Sequence, residues 1–281
     1  MKIGPYEIHP IETGHFRLDG GAMFGVVPWI FWSRALPPDE QMRVELAVRS
    51  LLIQGKGRTI LVDNGNGDKW PDKLKDIYKL DNSKHDLLSS LKKHGVSPDD
   101  VTDVILTHLH FDHAGGSTRY ADGKLVPTFP HARYYVQQKQ WENSQQPTEK
   151  DRASFLREDF MLLHEMGMLE LVNGQTELFP GIEVLVTNGH TSSQQLPKIS
   201  DGQTTMLFSC DLLPTTVHLP LPYIMSFDVR PLVTLEERKK IFTRAVEQQW
   251  IMFLQHDPNI EAIMLKQGEK GIVVDQMLML E

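Results

Sequence analysis

Cysteine is almost missing from this chain. Cys210 stands alone among 281 residues, so no intrachain disulfide is possible, and a cysteine-rich structural zinc site is excluded. No apolar run approaches the roughly 20 residues that a membrane-spanning helix needs. The opening residues Met1 to Pro10 also lack the apolar stretch of a secretory signal. A cytoplasmic protein with no membrane partner is therefore the expectation. Positive charge is not in excess either: 29 Lys and Arg against 37 Asp and Glu leave a net charge of −8. That balance disfavours a nucleic-acid backbone as partner. There is no internal repeat, low-complexity tract or linker-like segment, so residues 1–281 read as one domain, long enough to bury a sizeable core.

What is present is concentrated in Thr107-His108-Leu109-His110-Phe111-Asp112-His113-Ala114-Gly115-Gly116. The apolar run Val104-Ile105-Leu106 precedes it and reads as a buried strand. His108 and His110 are one residue apart, so in extended chain they point the same way. Asp112 and His113 follow where the chain should turn, and they can face a second point in space. Imidazoles and a carboxylate suit zinc, iron, manganese or cobalt. A lone histidine is more often a satisfied core or surface residue than a ligand. Three histidines and an aspartate within six positions are much harder to account for in that way.

The same pattern of an apolar strand ending in a histidine or aspartate recurs along the chain. Ile182–Thr187 runs into Asn188-Gly189-His190, Thr205–Ser209 into Cys210-Asp211, and Ile251–Leu254 through Gln255 into His256. Ligands in α/β folds commonly bind outside the carboxyl ends of strands. Earlier, Val44–Ile53 and Thr59–Val62 read as a hairpin around Gly55-Lys56-Gly57-Arg58, and the second strand ends at Asp63. That carboxylate could cap a turn or brace a metal ligand from behind.

Tyr6–Thr13 reads as a first strand, and Ala132–Val136 as a later one. Trp70–Leu80 reads as an exposed loop with a helical turn. A helix is expected from a cap at Ser83–Asp86 to about His94, stopping at Gly95, with a short turn opened by Pro98 after it. Asp151–Met166 has helical periodicity. Thr234-Leu235-Glu236-Glu237 reads as a capping box for a helix to about Gln249. Residues 262–281 read as closing strands around a turn at Glu269–Gly271.

The segment Gly20–Trp32 is apolar and aromatic, and too broken by glycine and proline for a regular helix. It packs on the core or at a subunit contact, leaving room for a homodimer. Alternatively Phe24, Trp29, Phe31 and Trp32 form the apolar wall of a substrate pocket.

The motif His108-x-His110-x-Asp112-His113, followed in order by Gly189-His190, Asp211 and His256, resembles the metallo-β-lactamase superfamily. The correspondence runs from Asp63 to His256. It implies an α/β fold, the αβ/βα four-layer sandwich with two mixed β-sheets, and a dinuclear site at one edge. By that resemblance His108, His110 and His190 hold one divalent metal ion, Asp112, His113 and His256 hold another, and Asp211 bridges them, with Asp63 behind the ligands. Zinc is the metal expected, with manganese, iron and cobalt also admitted. His218-Leu219-Pro220 and Phe227-Asp228-x-x-Pro231-x-x-Thr234 look like the acyl-homoserine-lactone lactonase and methyl-parathion-hydrolase-like branch.

Lactonases of that branch often carry a tyrosine soon after the bridging aspartate. Here the chain reads Asp211-Leu212-Leu213-Pro214, and Tyr223 or His218 is expected to act in its place, with Asp112 as ligand or as the group that orients the nucleophile. The function implied is hydrolysis of a small lactone or related carboxylic ester with an apolar acyl part, by a metal-bound hydroxide. A phosphotriesterase or a glyoxalase-II-like thioesterase is the alternative within the fold. A non-catalytic metal-binding protein is the alternative outside enzymes.

Overall fold

The computed structural model describes residues 1–280. Two mixed seven-stranded sheets face each other. In the first, the strand order is Lys2–Ile3, Tyr6–Asp19, Arg43–Gly55, Arg58–Val62, Asp103–Ile105, Arg133–Gln137 and Leu169–Val172. Pairing is antiparallel up to Arg58–Val62 and parallel beyond it. The second sheet runs Thr176–Phe179, Ile182–Thr187, Gln194–Ser200, Thr205–Phe208, Ile251–Phe253, Ala262–Gly268 and Gly271–Leu278. Only Thr205–Phe208 and Ile251–Phe253 pair in parallel there.

The apolar runs are continuous because the central strands are covered on both faces. Alternation along each strand sorts the side chains. Leu51, Ile53, Ile60, Val62 and Ile105 point inward, against Val184, Leu196, Met206, Phe208 and Met252 of the second sheet. Their neighbours Leu52, Leu61 and Val104 point outward and are covered by Leu87 and Leu91 of the helix Leu87–Lys93. Helix Pro231–Glu247 covers the other sheet through Ile241, Phe242 and Ala245. The result is the layered α/β sandwich with two mixed sheets. Among the described residues no helix is long and apolar enough to cross a membrane.

Four local expectations need correction. Gly20–Trp32 is helical in pieces, as Gly20–Phe24 and a second helix Trp29–Ala35, since Asp19 caps the first through Ala22 N and Gly25 closes it. Trp70–Leu80 contains a true helix, Asp72–Tyr78, ended by left-handed Lys79. Asp151–Met166 is not one helix but the turns Arg152–Ser154 and Arg157–Asp159, then the helix Met161–Glu165. Its inward residues are used one at a time: Phe155 packs on His110, and Asp159 pairs with buried Lys69. Finally, the last long helix begins at Pro231, whose fixed φ suits a first helical position. Thr234 and Glu237 therefore lie inside it and serve the site rather than capping the helix.

Candidate metal centre and its cleft

Strand ends from both sheets meet at one edge. Asp63, in a left-handed conformation (φ 54°), closes the strand Arg58–Val62. Its carboxylate accepts from Thr107 N at 2.7 Å and Thr107 Oγ1 at 2.8 Å, and faces His113 Nδ1 at 2.9 Å. That clamp fixes the turn from which His108 and His110 project. The short helix Phe111–Ala114 then carries Asp112 and His113. From the second sheet come His190, Asp211 and His256, each just past a strand end.

Six of the seven side chains form two groups, and a third group joins His108, His113 and Asp211 with Cys210. The ligand atoms of His108, His110 and His190 lie within 4.8 Å of one another, as do those of Asp112, His113 and His256. Asp211 stands between them. Its Oδ2 is 3.4 Å from His108 Nε2, 3.4 Å from His190 Nε2 and 3.0 Å from His113 Nε2, while Oδ1 is 3.5 Å from His256 Nε2. His110 Nδ1 and His190 Nε2 approach to 3.2 Å.

The far nitrogens of the rings are held from behind. His190 Nδ1 faces Asp228 Oδ1 at 2.9 Å, and His256 Nδ1 faces the Ala47 carbonyl at 2.9 Å. His113 Nδ1 faces Asp63, and His108 Nδ1 lies 3.1 Å from Thr107 Oγ1. Such partners set the ring orientation and leave the other nitrogen free to bind a metal. The Nε2 atoms of His108, His110, His113 and His256 are buried with no hydrogen-bond partner. Burying polar atoms without partners is costly, and a shared divalent cation is the partner this donor set fits.

Electrostatics agree with that fit. Burial and the surrounding imidazoles hold His108 and His110 well below the usual histidine range, so both rings are neutral donors. At His113 burial acts downward too, but the Asp112 and Asp211 charges outweigh it and raise the group well above its ordinary value. His190 is raised by Asp211 and Asp228 against the same burial. Asp211, despite burial, is held well below the usual carboxylate range by His190 and His113. The carboxylates thus create a field that favours positive charge at the point where the rings converge.

Each of these loops is tied down by a buried or half-buried charged side chain. Arg49 reaches the carbonyls of Leu254, Asp257 and Ile260 around His256. Arg238 donates to Leu212 O at 2.7 Å, His218 O at 3.1 Å and Tyr223 O at 2.6 Å beyond Asp211. Lys69 holds the carbonyls of Gly115 and Thr118 after His113. Glu237 accepts from Asn188 N at 2.7 Å and Gly189 N at 3.0 Å before His190. Gly189 is required by this close approach: a Cβ there would meet Thr234 Oγ1 at 2.2 Å.

A cleft of about 390 Å³ opens above the centre, with His110, Asp112, His190, Asp211 and His256 on its floor. Its apolar walls include Leu18, Met23, Leu46, Tyr78, Met225 and Phe227, and Phe111 lies beside Asp112. The four aromatic residues expected to form the wall are not part of it. Phe24 and Trp32 are buried in the core, stacked on each other with centroids 5.1 Å apart. Trp29 and Phe31 face solvent on the outside of their helix. The segment still contributes Ala22 and Met23, because a short helix turns only part of its residues inward.

Tyr223 and His218 also stand off the cleft. His218 is fully buried, stacked on Phe24 at 4.6 Å, with Nδ1 at 2.7 Å from Thr215 Oγ1 and Nε2 at 3.0 Å from the Met23 carbonyl. Burial, with Arg238 nearby, pushes it down to about 3. Tyr223 packs edge-on against Phe24 at 6.2 Å. Two residues missed in the sequence come forward instead. Asp228 braces His190, and its place in the Phe227–Thr234 segment was the available signal. Tyr78 reaches the cleft, but nothing in its charged surroundings marks it in the sequence. Burial and the Asp112 charge raise its hydroxyl above the ordinary tyrosine value, so it remains protonated.

Fold and donor set together define a class: two-sheet α/β proteins with a histidine- and aspartate-built centre where strand ends of both sheets meet. Residues 43–256 match the Metallo-beta-lactamase superfamily, and the chain belongs to that family. It is 27% identical to the N-acyl homoserine lactonase AiiA of Bacillus thuringiensis subsp. kurstaki over 177 residues, 61% of this chain and 62% of that protein. It is 30% identical to the N-acyl homoserine lactonase AiiB of Agrobacterium fabrum over 126 residues, 41% of this chain and 44% of that one. The chain thus matches about 62% of the length of its first curated relatives.

A solved structure of a probable metal-dependent hydrolase from Staphylococcus aureus is similar throughout, with TM-score 0.90 and 27% identity over 100% of this chain and 99% of that one. AidC, a dizinc quorum-quenching lactonase, has TM-score 0.82 and 20% identity over 100% and 97% of the two chains, a likeness of fold.

Proposed function

We propose that the protein is a metal-dependent hydrolase that opens a small lactone, or cleaves a related carboxylic ester, with an apolar acyl part. The observation that carries this reading is the convergence of His108, His110, Asp112, His113, His190, Asp211 and His256 at one edge of the two sheets, five of them on the floor of a largely apolar cleft. The curated relatives are N-acyl homoserine lactonases, which supports the substrate class. His108, His110 and His190 would hold one divalent cation, and Asp112, His113 and His256 a second, with Asp211 between them. Such a pair, zinc by preference, would supply a water that loses its proton near neutral pH and a Lewis acid for the substrate carbonyl.

The chain's own residues do the rest. Asp63, Asp228 and the Ala47 carbonyl fix the rings, so the donors need no reorganisation when substrate arrives. Met23, Met225 and Phe227 offer an adaptable apolar surface to an acyl chain. The apolar wall residues lower the polarity beside the floor, which strengthens charge interactions there.

The test is hydrolysis of an acyl-homoserine lactone series by metal-loaded and chelator-stripped protein. Metal-dependent ring opening, faster with longer acyl chains, is the expected result. Turnover of aryl phosphotriesters or thioesters with no lactone opening would replace the substrate class. Two bound metals with no turnover of any of these would favour a non-catalytic metal-binding protein.

A further inference from the structure

We propose that the Tyr78 hydroxyl donates the proton to the leaving oxygen when the acyl C–O bond breaks. This rests on the hydrolase reading above. Tyr78 is the last residue of the helix Asp72–Tyr78, and it lines the cleft beside Asp112. Its ring packs against Phe111 at 5.4 Å and edge-on to Trp70 at 5.7 Å. Among the described residues its hydroxyl has no hydrogen-bond partner.

The helix end is held by Arg43 on the cleft wall. Arg43 donates to the carbonyls of Asp76 at 3.1 Å and Ile77 at 2.9 Å, and is itself held by Asp39 at 2.8 Å. Two backbone hydrogen bonds between His15 and Asp81, at 2.9 Å and 2.8 Å, secure the chain just beyond. The phenol direction is therefore set before substrate binds.

Other donors on the walls are committed. Arg17 pairs with Glu45 at 2.6 Å, Arg43 is used as described, and Lys150 is bonded to the Ser226 carbonyl. Leu212 and Leu213, which follow Asp211, are buried and carry no hydroxyl. Ser154 is on the side of the cleft next to Phe155, which packs on His110 rather than Asp112.

The step balances simply. The attacking water oxygen bonds to the acyl carbon and gives up a proton to solvent. The acyl C–O bond breaks, and its electron pair stays on the ring oxygen. Tyr78 transfers its proton to that oxygen, and the tyrosinate recovers one from solvent. The net change is lactone plus water to hydroxy acid.

Tyr78→Phe keeps the ring packing and removes only the donor. The comparison uses the metal-loaded protein, an acyl-homoserine lactone, and a p-nitrophenyl ester whose leaving group departs without a proton. In the variant, kcat on the lactone should fall roughly 100-fold, within the usual range for general acid catalysis, with KM and bound metal little changed. The aryl ester should lose much less. Affinity for the ring-opened hydroxy acid, measured by calorimetry, should also weaken as its new hydroxyl loses a partner. An unchanged lactone kcat overturns the proposal, and so does an equal loss on both substrates, which marks a packing role. Wild-type protein that turns over neither substrate defeats the hydrolase reading itself, before the variant is compared.

Discussion

His190 shows at the scale of one residue how the site is held. Its Nδ1 faces Asp228, and the second oxygen of Asp228 accepts from Thr234 Oγ1 at 2.7 Å. Removing that carboxylate frees the ring and lowers its basicity toward a cation. Asp228→Ala should therefore weaken metal binding about 10- to 100-fold, as measured by chelator competition, with the fold kept. His218 makes a contrasting prediction. It is buried neutral, with a pKa near 3 against the ordinary 6.5. The folded protein resists a proton that the unfolded chain accepts. Its contribution to stability is therefore complete above pH 6.5 and is lost as pH falls below that value. The variant His218→Gln should show a shallower drop in Tm between pH 7 and 5 than the wild type, in metal-free protein. A parallel drop in both would show that this ring does not titrate on unfolding.

At the scale of elements, the strands were legible and their supports were not. Runs such as Val104–Leu106 and Ile182–Thr187 announce themselves because both faces are covered, and a histidine or aspartate just past the end stands out against apolar sequence. The ring and carboxylate side chains that converge at the sheet edge could be read from that contrast. Arg238 could not, since an arginine in an amphipathic helix reads as a solvated face. Here it is fully buried and donates to three carbonyls of the Leu212–Tyr223 loop. Arg238→Leu would strand those acceptors, and should cost about 3 kcal/mol or more of stability, visible in chemical denaturation, together with a loss of metal affinity through Asp211. The cleft walls were hidden for another reason. Aromatic content in Gly20–Trp32 suggested a wall, but which side a short helix turns inward is decided by tertiary packing. That packing took Phe24 and Trp32 for the core and left Met23 at the cleft. Tyr78 was hidden by charged neighbours that mark its helix as exposed.

At the scale of the molecule, the same segment presents Val26, Trp29, Ile30 and Phe31 to solvent, at 90%, 52%, 47% and 59% exposure. So much contiguous apolar surface suits a contact with a second copy of the chain. A mass by light scattering that halves in Trp29→Glu/Phe31→Glu would establish that contact, and a monomeric wild type would remove it. The metal centre has a larger structural consequence. Of the candidate donors, His108, His110, Asp112 and His113 follow a first-sheet strand, and His190, Asp211 and His256 follow second-sheet strands. Each group of ring donors takes members from both sheets, so a cation in either one would join two halves otherwise held by the core between them. Without it, four buried imidazole nitrogens lack partners. Ligand that binds only the folded state stabilises it by roughly 4 kcal/mol when present at 1,000 times its dissociation constant. Chelation should therefore lower Tm by several degrees, and amide exchange should quicken first at the His108–His113 turn and the His190 and His256 loops, not in the strands behind them. His110→Ala and His256→Ala, one from each donor group, should each remove part of that chelator-sensitive increment. If one variant removed all of it and the other none, a single cation would be doing the joining.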